Sequence, residues 1–124
     1  MSEDQEVRTT LEGGVRIVSV SGEFDLETID TLAHALTRVP EGSAGTVLDL
    51  AEVVFADSAF LHLLLQARRH HGSVGTPLVL ARPSTTVSRL LHVTDTADAF
   101  TVAPSVPAAT AGIRAAGAGG NVVR

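Results

Sequence analysis

Asp57, Ser58 and His62 are the residues whose types and spacing most invite a chemical reading, in the stretch "FADSAFLHLLLQARRHH" from Phe55 to His71. A carboxylate, a hydroxyl and an imidazole this close together are the ingredients of a hydrolytic triad. The arrangement argues against one. There is no G-x-S-x-G elbow, and His62 stands one turn along the same helix, pointing away from the hydroxyl. His62, His70 and His71 fare no better as metal ligands, since no acid stands among them and their spacing fits no zinc scheme. "LEGG" and "GEFD" hold too little glycine in the right order to cradle a phosphate. No catalytic residue, metal or cofactor is expected.

Two uses remain for Ser58. Either Ser58 or Asp57 is an N-cap, accepting from the unpaired N–H groups of a helix start. Alternatively, the Ser58 hydroxyl is a phosphorylation site. There, about −1.5 to −2 of charge beside Asp57 would disrupt a partly apolar contact surface without unfolding the domain. On a helical wheel Phe60, Leu61, Leu63, Leu64, Leu65 and Ala67 fill an arc of roughly 200°, wider than the stripe of a typical surface helix. Ser58, Ala59, His62, Gln66 and Arg69 take the remaining arc, so Ser58 is expected at the exposed end of the helix.

The elements that must position this helix are legible as an alternation. "TTLEGGVRIVSVSGEFD" reads as a β-hairpin turning at Gly13–Gly14, with Val15, Ile17, Val18 and Val20 in its second strand. Asp25 is expected to cap a helix over "LETIDTLAHALTRV", whose Ile29, Leu32, Ala33 and Leu36 share one face. Thr46–Leu50 reads as a buried strand, and the second helix runs from Ser58 to about His71. "TPLVLARP" is a further strand, Ser84 caps a third helix, and "AFTVAP" closes with a short strand. Residues 104–124 are Ala/Gly/Pro-rich without an apolar period, and are expected to be disordered. The pattern predicts an α/β layer fold with parallel later strands. It leaves open whether the helices cover one face or both.

Composition sets the outer bounds. At 124 residues, 44% hydrophobic, the chain is one domain with an ordinary core. It has no Cys, hence no disulfide and no thiolate site. The formal charge is −5, and all cations are Arg. They are scattered, except where Arg68–Arg69 run into His70–His71, so no basic face for nucleic acid is expected. The acidic start "MSEDQEV" is not a signal peptide, and no apolar run approaches the ~20 residues of a membrane span. A soluble, cytoplasmic protein without a membrane partner is expected.

Three stretches together resemble a known family: "VSGEFDLET", then "VLDLAEVVFADSAFLHLLL", then "TPLVLARPSTTVSRLLHVTDTADAF". Their order resembles a STAS domain, more narrowly the bacterial anti-sigma factor antagonists, over residues 6–103, between a flexible 1–5 and the 104–124 tail. The resemblance implies a four- or five-stranded mixed sheet with helices packed on one side. It implies a non-enzymatic regulator that binds an anti-sigma factor, itself a serine kinase, and so frees a sigma factor. Phosphorylation by that kinase ends the association, and a serine phosphatase restores it. By position the phosphorylated serine falls on Ser58 and the acid before it on Asp57. The family's acids after the "SGE" strand and in "VLDL" fall on Asp25 and Asp49, near one edge of the fold. Asp25, Asp49, Asp57, Ser58, Ala59, Phe60, His62 and Leu63 are then the expected partner-binding residues. This chain has Ala59 for the motif's second serine, Phe60 for its glycine, and Asp95 where many relatives place glycine. The alternative implied is an unphosphorylated STAS module in a membrane, lipid-transport or signalling assembly. Oligomeric state stays open between monomer and weak dimer.

Overall fold

A computed structural model describes residues 5–122 of the chain, with side chains described for residues 5–116. Gly13 and Gly14 take φ of +59° and +86°, the left-handed pair that a two-residue hairpin turn requires. They join β1 (Gln5–Glu12) to β2 (Val15–Phe24) antiparallel, with Glu12 opposite Val15 and Gln5 opposite Gly22. Each later strand pairs in parallel: β3 (Gly45–Ala56) on β2, β4 (Leu78–Ala81) on β3 and β5 (Thr101–Ala103) on β4. The sheet runs β1-β2-β3-β4-β5, the mixed sheet anticipated from the alternation. Helices α1 (Asp30–Thr37), α2 (Ser58–Ser73) and α3 (Thr85–Val93) make the crossovers. Ser84 caps α3 as expected, its Oγ accepting from Val87 N at 3.2 Å.

Strand alternation sorts the core onto two faces. Val18, Val20, Leu48, Leu50 and Leu80 point to one side, where Leu32 and Leu36 of α1, Phe60, Leu63 and Leu64 of α2, and Val87 and Leu91 of α3 cover them. β3 outruns the expected Thr46–Leu50 because register shifts interrupt its pairing with β2 between Ser19 and Ser21 and between Gly22 and Glu23. Each shift adds a residue to β3 and breaks the two-residue period. Val53 thus turns inward while Val54 and Phe55 both stay exposed.

Three expectations are corrected. α1 starts at Asp30 rather than directly after Asp25; Asp25 closes a turn instead, its Oδ1 accepting from Glu27 N at 3.0 Å and Thr28 N at 3.1 Å. The stretch expected to be disordered forms α4 (Val106–Val122), and residues 123–124 lie outside the described residues. Ser105 starts it, with Oγ accepting from Ala108 N at 3.1 Å, and Pro107 sits in the first turn, where no N–H is needed. Ala109 and Ile113 bury against Val15, Ile17, Val47, Val79 and Ala81. The helices therefore do not all lie on one side: α1–α3 cover one face of the sheet and α4 the other. Residues 1–4 of the expected flexible N-terminus lie outside the described residues, and Gln5 already belongs to β1.

Candidate functional site

Phe24 and Ala56 are register partners, so Asp25 and Asp57 directly follow adjacent strand ends. Both carboxylates are spent on local backbone. Asp57 leaves β3 in an extended conformation and caps α2, its Oδ1 accepting from Ala59 N at 2.9 Å and Phe60 N at 3.4 Å. Its carbonyl takes Leu61 N at 3.1 Å. The cap is thus Asp57, and Ser58 is the first helical residue. Ser58 is exposed, and its hydroxyl makes no hydrogen bond among the described residues.

Ser58 stands at the mouth of an open groove of about 760 Å³ between α1 and α2. Asp57, Ser58, Ala59, His62, Leu63 and Gln66 form the α2 wall, and Leu26, Ile29, Asp30 and Ala33 the other. Five of the expected residues, Asp57, Ser58, Ala59, His62 and Leu63, meet here. Leu26, Ile29, Asp30, Ala33 and Gln66 were missed as site residues. The signal was Leu26 itself, a large apolar residue just before a helix, which the structure leaves 76% exposed.

Phe60 does not join the surface. Its ring is fully buried and tilts against Phe24, centroids 5.8 Å apart. A partner at the groove therefore meets the Ala59 and Ser58 side of the first turn, not a phenyl ring. Asp49 is also placed elsewhere. Alternation puts it on the face of Val47, opposite Leu48 and Leu50, and it lines a pocket with Glu6, Arg8 and Ser19. There it accepts a two-pronged contact from Arg82, Nε to Oδ1 at 3.1 Å and Nη2 to Oδ2 at 2.8 Å, which holds the Arg82 guanidinium above its ordinary pKa. Arg82 has φ +50° at the exit of β4, so Asp49 pins a strained turn rather than lining the groove. Asp25 acts through its turn at the α1 end and is not among the groove-lining residues.

No group of three or more His, Asp or Glu able to hold an ion is found among the described residues. No helix among them is long and apolar enough to cross a membrane. The hydroxyl of Ser58 can be acted upon. A phosphate there would find Ala59 N and Phe60 N already taken by Asp57, so the new charge would project into the groove beside Asp57 and Asp30 rather than being absorbed by the helix end.

The comparisons with known proteins come to the same fold. The family model for the STAS domain matches residues 6–109. No curated protein sequence matches the chain. An anti-sigma factor antagonist from Mycobacterium paratuberculosis superposes with a TM-score of 0.80 at 25% identity, over 92% of this chain and 97% of that one. The anti-sigma factor antagonist SpoIIAA, found in Bacillus, gives 0.72 in its unphosphorylated form at 16% identity, over 89% and 97% of the two chains. A sulfate transporter family protein from Wolinella succinogenes gives 0.72 at 22% identity, over 85% and 88%.

Proposed function

The chain belongs to the STAS domain family, and on that premise we propose that it is an anti-sigma factor antagonist whose α1–α2 groove binds an anti-sigma factor of the serine-kinase type. The observation that carries this reading is the division of labour at the start of α2. Asp57 caps the helix, so the Ser58 hydroxyl stays exposed and uncommitted at the groove mouth. In the unmodified protein, Leu26, Ala59 and the stem of Gln66 offer apolar surface to the partner, which is held off a sigma factor while bound. Transfer of the γ-phosphoryl group of ATP to Ser58 Oγ, with loss of the hydroxyl proton and release of ADP, would end the association. The added charge meets Asp57 and Asp30 and must be desolvated at the contact. A serine phosphatase would restore binding by hydrolysis of the ester. The protein itself catalyses nothing in this scheme, which runs where sigma factors act, in the bacterial cytoplasm.

Intact-mass measurement after incubation with ATP, magnesium and a co-encoded anti-sigma kinase tests this. One added phosphate on the wild type and none on Ser58→Ala is expected. Ser58→Asp is expected to abolish binding while changing unfolding free energy by less than about 1 kcal/mol, because an acid is tolerated in the first turn of a helix. Global unfolding of Ser58→Asp would instead make the hydroxyl structural and remove the switch. The fold shared with the sulfate transporter family protein supports a second reading, a STAS interaction module in a membrane assembly. On that reading, Ser58→Asp would keep its partner.

A further inference from the structure

The Arg68–Arg69 pair has no part in the Ser58 groove. It lies at the far end of α2, roughly 15 Å along the helix axis from Ser58. Cations near a helix C-terminus ordinarily serve the last carbonyls. Here the carbonyls of His70, His71 and Gly72 are already served. His70 O accepts from Val74 N and Ser73 Oγ, His71 O from Thr76 N at 3.0 Å, and Gly72 O from Gly75 N at 3.2 Å. Neither guanidinium pairs with a carboxylate: among the described residues, the ion pairs are Arg8–Glu6 and Arg82–Asp49.

Both arginines instead line one pocket of about 310 Å³, formed between the end of α2, the start of β4 and the entry to β5. Its other walls include Pro77, Leu78, Phe100 and Thr101, and no carboxylate lines it. In a chain with 14 acids against nine arginines, that separation of charge is conspicuous. Thr76, also in the wall, has a buried Oγ1 without a hydrogen-bond partner among the described residues. Two guanidiniums without partners among the described residues, an apolar wall with a ring, and a volume near the lower end of ligand-binding clefts suit an anion that carries an apolar body. We propose that this pocket binds a small organic phosphate monoester, its phosphate held by Arg68 and Arg69 and its apolar body laid against Pro77, Leu78 and Phe100. This site is separate from the Ser58 groove, and both can be occupied at once.

Titration of the full chain with phenyl phosphate, followed by 1H–15N NMR, tests this. Saturable shifts are expected at Arg68, Thr76 and Thr101, with tighter binding than inorganic phosphate and no shift with neutral benzyl alcohol. The double variant Arg68→Gln/Arg69→Gln, in exposed positions, should keep the fold and weaken binding about tenfold or more. Ser58→Asp should bind phenyl phosphate unchanged, so this result stands apart from the fate of the switch. Absence of saturable shifts, or binding that survives the double variant, overturns the assignment. Tighter binding of a hexaglutamate peptide at the same amides would overturn it in favour of an acidic-peptide surface.

Discussion

Between Asp57 and Ser58 the sequence leaves the cap open, because either side chain can accept from a helix N-terminus. Backbone conformation decides it. Asp57 is the extended residue and Ser58 the first helical one, so the Asp57 carboxylate reaches back to Ala59 N while the Ser58 hydroxyl turns outward. The wheel puts Phe60 within the apolar arc, and the structure carries the ring fully inside against Phe24. Phe60→Gly would then open a cavity and add the helix cost of glycine. A loss of about 3–5 kcal/mol or more is expected from chemical denaturation. A loss under 1 kcal/mol would mean the ring is not a core residue. Asp95 shows the same logic at the end of α3: it takes φ +59°, a conformation that favours glycine. Asp95→Gly is expected to raise stability by about 0.5–1 kcal/mol, read as a shift in denaturation midpoint.

Among the elements, α4 is where composition misled. Val106, Ala109, Thr110 and Ile113 fall at i, i+3, i+4 and i+7, but alanine and threonine make a faint stripe beside the glycines that follow. The helix is held chiefly by docking. Ile113 is buried against the sheet, and a Cβ added at Gly45 would come within 2.9 Å of the Ile113 Cγ2. Arg114 donates to Glu12 O at 3.1 Å, tying the helix to the hairpin turn. Ile113→Asp is therefore expected to release α4 without unfolding the sheet. Hydrogen exchange should accelerate across residues 106–116 while β2 and β3 stay protected, and a hydrophobic dye should bind the bared face. Equal acceleration throughout would show that α4 is integral to global folding. β3 was read short for a different reason: its register shifts break the alternation by which strands are recognised.

On the scale of the whole molecule, a buried polar chain joins sheet and helices at the end opposite Ser58. Arg16, 4% exposed, donates to Ala35 O of α1 and to Thr46 Oγ1 at 3.3 Å. His71 Nδ1 donates to Ala67 O at 2.8 Å, and in the neutral ring its Nε2 accepts from the Thr46 hydroxyl at 3.0 Å. That pattern requires a neutral imidazole. Burial holds the His71 pKa below its usual 6.5, and the Arg16 charge adds to this against the opposing Ala67 hydrogen bond. The unfolded chain thus binds the proton more readily, and stability is lost as pH falls through about 6.5 toward the lower folded value. Unfolding free energy should be smaller at pH 5.5 than at 7.5. His71→Gln, polar but without a titrating proton, should shrink that difference; an unchanged difference would assign it to other groups. From the sequence His71 reads only as a histidine outside any metal scheme, since nothing local shows that Thr46 and Arg16, 25 and 55 residues away, arrive beside it.

The sequence by itself determined the hairpin, the parallel alternation, the caps of α2 and α3 to within one residue, and Ser58 as the exposed hydroxyl. All of these rest on local periodicity and on turn and cap chemistry, which act within a few residues. Only the tertiary structure decided which wall faces Ser58 across the groove, that Asp49 serves Arg82 on the other face, that α4 closes the sheet, and that Arg16, Thr46 and His71 share one buried chain. Those outcomes depend on contacts between residues far apart in the chain, whose meeting is set by strand register and by the packing of each helix rather than by local preference.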